Sequence, residues 1–259
     1  MVILKGSREK LGAVLIAVAG LLGVIVLFAQ GAIPQDTAYH DFKDQRTIMG
    51  VPNFWNVLSN LPFLIVGAIG FYKVTISDRL KIIINFRIAY GLLFAGTALV
   101  SLGSGYYHLW PNNETLVWDR LPMTFAFMAL FSIVISEYIF VDLGRRLFVP
   151  LVIVGVASVA YWHVTELRGE GDLRFYALVQ FFPMLAIPII LLTFRSMFTT
   201  ASGYWWLFVA YLAAKLLEHF DGEVYSLLGF ISGHSLKHVA AALGVYVLMV
   251  SYQRRIGAE

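Results

Sequence analysis

The sequence contains no cysteine, which removes disulfide frameworks, thiolate metal sites and cysteine nucleophiles. Any metal must be held by His, Asp or Glu. Charge is also scarce. Only 14% of the residues are Asp, Glu, Lys or Arg, against roughly 25% in soluble domains, while 59% are hydrophobic and the mean hydropathy is +0.76. This balance excludes a soluble globular domain and predicts an integral, multi-pass membrane protein. The net charge of +3 and pI near 9.0 would also suit a nucleic-acid binder. However, the basic residues sit in short tufts between apolar runs, as loops facing anionic lipid do, so no nucleic-acid partner is expected.

A bilayer span needs about 20 mostly apolar residues. Such runs recur at about 11–29, 54–72, 88–108, 117–140, 147–163, 174–194, 203–219 and 227–250. The reading is an all-α membrane protein of eight helices, a single transmembrane domain over residues 1–259. Lys5, Arg8 and Lys10 precede the first run, and Ala29-Gln30-Gly31 loosely resembles a cleavage site. The run is nonetheless long for a signal peptide, and an anchor helix is expected. With the N-terminus placed in the cytoplasm, twelve of the 19 Lys and Arg fall on the inner side, and the outer loops hold only Lys43, Arg46, Arg168 and Arg174. This bias predicts both termini inside. It also puts His108, Asp119, His234 and His238 at one depth, near the non-cytosolic face.

Ser104 and His108 are four residues apart, as are His234 and His238, so each pair shares a helical face. Two imidazoles one turn apart can chelate a transition ion. A third from a facing helix leaves the fourth position of a zinc site for water, whose pKa zinc lowers from about 15.7 toward about 7. Asp119 would then handle protons, and Ser104 would bond the water or a developing oxyanion. Taken singly, a helical Ser more often bonds its own i−4 carbonyl, and a lone membrane His bonds another side chain or a haem. Five such residues at one depth favour a site, because intramembrane polar groups are costly.

"GVPNFWNVLSNLPFLIVGAIG" at 50–70, "GSGYYH" at 103–108, "WDRLPM" at 118–123 and "SGHSLKH" at 232–238 resemble, in order, the motifs of the alkaline ceramidases. The resemblance runs over about 36–250. It implies a seven-helix transmembrane bundle that holds zinc and hydrolyses the amide of ceramide to a sphingoid base and a fatty acid. By the same resemblance His108, His234 and His238 match the zinc ligands, and Ser104 and Asp119 match the catalytic pair. The chain departs from the pattern in its additional N-terminal transmembrane helix at 11–29 and in Arg120, where the animal enzymes tend to carry an acid. Those enzymes also hold calcium in the loop before the first family helix. Here Asp41 and Asp44 match two of the acids, but Arg46 stands for an Asn and Asn53 for a Glu. Calcium, which takes 6–8 oxygen ligands, is therefore not expected, and Asp44 is expected to pair with Arg46.

Two other classes compete with a lipid hydrolase. One is a receptor-like or lipid-sensing seven-helix protein with a structural zinc. The other is a metal transporter, which would carry polar residues on toward the inner face, where Glu137 stands nearly alone. Lys215 in "KLLEHFDGE" would suit a retinal Schiff base, but a Lys215 to Glu218 pair and a capping Asp221 are the simpler reading. His219 is a further candidate for the polar cluster. Lys237 is expected to meet Glu218, and Glu137 to snorkel or meet Arg145. His40 and His163 are expected to be solvated. Pro183 and Pro188 in "FFPMLAIP" predict a kinked helix beside a lateral path for lipid. The sequence says nothing of oligomeric state.

Overall fold

The structure, a computed structural model, describes residues 6–257; Lys5 lies outside the described residues. The helices are α1 (Ser7–Phe28), α2 (Phe54–Leu58), α3 (Leu61–Thr75), α4 (Arg87–Leu109), α5 (Asn113–Tyr138), α6 (Val141–Leu167), α7 (Arg174–Thr193), α8 (Ser202–His219), α9 (Asp221–Leu228) and α10 (Gly233–Arg254), and no β-strand occurs among the described residues. Among the described residues seven segments are long and apolar enough to cross a membrane, the N-terminal one among them, with Phe54–Thr75 counted as one. The eighth expected helix, α8, is also present.

Two boundaries differ from the sequence reading, each for a local reason. The 54–72 run breaks at Ser59 and Asn60 into α2 and α3. Pro62 has no N–H to give the carbonyl four residues back, so the helix restarts just before it. The 227–250 run begins instead at Gly233, because Gly229 adopts φ 73° and ends α9, after which the Ser232 side chain caps α10. The α4–α5 turn is set by a capping box, in which Asn112 accepts from the Thr115 N–H and Thr115 accepts from the Asn112 N–H. Both prolines of α7 lie inside a continuous helix.

Packing runs from α8 to α10, α3, α4 and α5, with α6 and α7 against α5. Small residues permit the closest approaches: Gly67 of α3 meets the α4 backbone at Ala98, and Gly103 of α4 meets the α5 backbone at Trp118. By contrast, α7 and α8, although consecutive in sequence, have no extensive interface. Helix α1 lies along α7, with Gly12 against Thr193 and Gly20 against Phe182, and leaves most of its apolar side chains exposed.

The end of the bundle that holds both termini is closed by a buried ion pair. Arg255 donates from Nη2 and Nη1 to Oε1 and Oε2 of Glu137 at 2.6 and 2.8 Å. Tyr90 and Tyr204 donate to the same carboxylate at 2.5 and 2.8 Å. Glu137 therefore neither snorkels nor meets Arg145, which sits beside Asp142. An aliphatic path to solvent would be poorer than four donors within the protein. A second pair, Asp172 with Arg174 at 2.8 Å, tethers the segment after α1, because Arg174 Nη1 also donates to the Gln30 carbonyl.

Glu137→Ala would leave Arg255 buried and unpaired, and thermal unfolding in detergent should show a loss of roughly 3–5 kcal/mol. Hydrogen bonds from Arg174 hold the Asp172 carboxyl at about 2, below the ~3.9 of an unfolded chain. The stability this adds is complete above the unfolded value and is lost as pH falls through about 2. Melting curves of wild type and Asp172→Asn should therefore differ at pH 7 and converge as pH is lowered toward 2.

Candidate metal centre

The broken α2–α3 span, the α4–α5 hairpin and the start of α10 meet at the end opposite the termini. Here His108 of α4 and His234 and His238 of α10 each offer a ring nitrogen, and these atoms lie within 4.8 Å of one another. The ring centroids are 5.0–5.2 Å apart, and all three rings are buried. Nδ1 of His108 and Nε2 of His234 have no hydrogen-bond partner. Buried polar atoms are rarely left so, and three imidazoles sharing one centre suit a divalent ion of the zinc type. This group could hold a metal.

The surroundings position the three histidines, His238 through its ring and the other two through their main chain. His238 Nδ1 is 2.8 Å from Ser59 Oγ, and Ser59 is the residue that the α2–α3 break turns toward α10. The His234 N–H donates to Asp221 Oδ1 at 2.6 Å, and Asp221 also accepts from the Lys43 N–H. Asn53, at φ 48°, donates from Nδ2 to the His108 carbonyl at 2.9 Å. Phe42 covers the group, with its ring centroid 4.7 Å from His108 and 4.5 Å from His234. None of Ser59, Phe42 or Asp221 had been singled out as part of the site from the sequence. Ser59 lay in plain view inside the quoted 50–70 motif, but only the break in that helix gives it a direction.

Ser104 stands beside the Asp119 carboxylate. Both, with His238, line a cavity of about 400 Å³ that runs into the bundle between Phe127 of α5, Phe181 of α7 and Val245 of α10. A wider cleft of about 1250 Å³ opens on the other side of the imidazoles and is lined by Asp41, Asp221, Glu223 and His234. Tyr39 and Glu218 border both spaces. Glu218 accepts from Lys215 at 2.7 Å and pairs with Lys237, as the sequence suggested.

Asp44 pairs with Arg46, whose Nε and Nη2 reach its two oxygens at 2.8 and 2.7 Å. His219 meets Phe220 edge to face and is not one of the three clustered imidazoles. Asp221 begins α9 rather than capping α8. His40 is not simply solvated: its ring lies 2.8 Å from Tyr107 Oη and 2.9 Å from Asn113 Oδ1. Residues 37–40 form a 3-10 turn that folds over the α4–α5 hairpin, so a residue placed in a loop by the sequence comes to hold the loop down.

Ser59→Ala should lower metal affinity about 10–100-fold with little change in fold, because a partner that orients a ligating imidazole is worth that much; competition against a chromogenic chelator would measure it. The family model described as Ceramidase matches residues 43–255. No curated protein and no solved structure matches the chain.

Proposed function

The chain belongs to the ceramidase family, and from that premise we propose that it is a zinc-dependent hydrolase of the amide bond in ceramide or a closely related N-acyl lipid. The observation that carries the reading is the buried His108, His234 and His238 group beside a cavity that is polar at one end and apolar along its length. Zinc held there would supply Lewis acidity toward the amide carbonyl and an activated water.

The roles of the chain's own residues follow from their placement. Asp119 accepts the proton of the attacking water and delivers it to the leaving nitrogen as the carbon–nitrogen bond breaks, giving a fatty acid and an amine. Ser104 orients that carboxylate and is the neutral donor at hand for the developing oxyanion. Ser59 sets the plane of His238. The acyl chain lies along Phe127, Phe181 and Val245, and it enters from the bilayer between α7 and α8, whose Ala177 and Leu207 both line the cavity. The wider cleft at His234 admits water and releases the polar product. The Lys and Arg bias supports an orientation with both termini cytoplasmic and the site toward the periplasm or a lumen.

The competing reading, a lipid sensor with a structural zinc, would call for a fourth protein ligand. Among the described residues the group comprises three imidazoles, which leaves a position for water.

Purified protein should contain about one zinc per chain and release fatty acid from an acyl-labelled ceramide. His234→Ala should lose both metal and activity. Asp119→Asn should keep the metal and lose about 10²–10⁴ in turnover. Bound zinc with no hydrolysis of any N-acyl lipid would leave the sensor reading standing instead.

A further inference from the structure

We infer that Arg120 is a specificity-determining residue that receives an oxyanion on the amine-bearing half of the substrate lipid. This rests on the amide-lipid reading above and narrows its substrate class. Arg255 pairs with Glu137, Arg174 with Asp172, and Lys215 and Lys237 with Glu218. Arg120 has no carboxylate partner among the described residues, although it is only 7% exposed.

Its guanidinium is fixed rather than free. Nη2 donates to Oε1 of Gln35, and the plane is held over Trp162 and Tyr176, 4.2 and 4.8 Å from their ring centroids. Nη1 is buried and without a partner, and Arg120 lines the same cavity as Ser104, Asp119 and His238. Neither acid close by pairs with it: Asp119 stands beside Ser104, and Glu166 accepts from the Gln35 N–H, Trp162 Nε1 and Asn113 Nδ2.

A buried cation with a donor left without a partner at the wall of a cavity is costly to the empty protein, and an incoming anion removes that cost. A guanidinium seated against aromatic rings is the group best matched to carboxylate, sulfonate or phosphate, which it binds through paired donors. The position along the cavity decides which part of the lipid it meets. Gln35 and Tyr39 belong to the segment between α1 and α2 at the polar end, whereas Phe127, Phe181 and Val245 lie further along their helices. With the acyl chain among the latter, Arg120 faces the head group.

The test compares equilibrium binding of N-hexadecanoyl sphinganine, the same lipid carrying a 1-phosphate, and hexadecanoic acid. Each is measured by displacement of a fluorescent lipid from the full chain in nanodiscs, in wild type, Arg120→Met and Arg120→Lys. Wild type should bind the phosphorylated lipid at least about tenfold more tightly than the neutral one. The ratio should fall to about one in Arg120→Met, which keeps an unbranched chain against Trp162, and be partly retained in Arg120→Lys. A wild-type ratio of one or less overturns the assignment whether or not the variants fold, and so does a ratio that survives Arg120→Met. Loss of hexadecanoic acid binding in Arg120→Met without any head-group preference would assign Arg120 to the released acid and reject the head-group role. If wild type binds none of the three lipids, the amide-lipid reading itself fails, whereas binding of the neutral lipid with a ratio of one removes only the role of Arg120.

Discussion

Three imidazole rings buried within a few ångströms of one another, with nitrogens that find no protein partner, form an arrangement an apolar bundle cannot hold cheaply by itself. A shared cation would resolve that conflict, and much of the surrounding architecture keeps the rings converged. The α4–α5 turn is pinned by a capping box, α10 starts at a side-chain cap one residue before its first helical position, and the first family span is interrupted to bring Ser59 to His238. Asn53 and Asp221 reach the main chain at the other two histidines. The ligands thus come from two helices, while the residues that aim them come from three further segments.

The arrangement is amphipathic in a functional sense. One space beside the imidazoles is narrow, penetrates the bundle and is walled mostly by apolar side chains, and the other is broad and acidic. A lipid amide must present a hydrocarbon tail and a hydrated head to the same reacting centre, and the partition at Tyr39 and Glu218 separates the two media at that place. In the Lys215, Glu218 and Lys237 cluster each charged group on the cavity wall meets one of opposite sign.

Much of this was legible in the sequence because helical periodicity and bilayer thickness are strong constraints. The eight apolar runs anticipated the eight long helices, and the i, i+4 spacing of His234 and His238 gave one face of the site. Depth alone brought His108 to the same level. What the sequence could not give was direction across helices. Ser59 gained its role from a break that Pro62 imposes, and Glu137 found Arg255 because the end of α10 returns to the end of α5, a pairing that separates the partners by 118 positions. His40 was misread as solvated because its partners, Tyr107 and Asn113, lie on a hairpin that loop composition does not reveal.

The clasp around Glu137 has a mechanical corollary. It gathers the end of α5, the beginning of α8 through Tyr204 and the end of α10 through Tyr252 and Arg255, and it does so at the face remote from the imidazoles. Further along, Gly203 and Gly244 seat α8 closely on α10. Helix α8 is tied to α10 at both ends, through Tyr204 and Tyr252 at the clasp and through Glu218 and Lys237 beside the imidazoles, so the two behave as one paired unit, and the seam left without such ties is the one that faces α7.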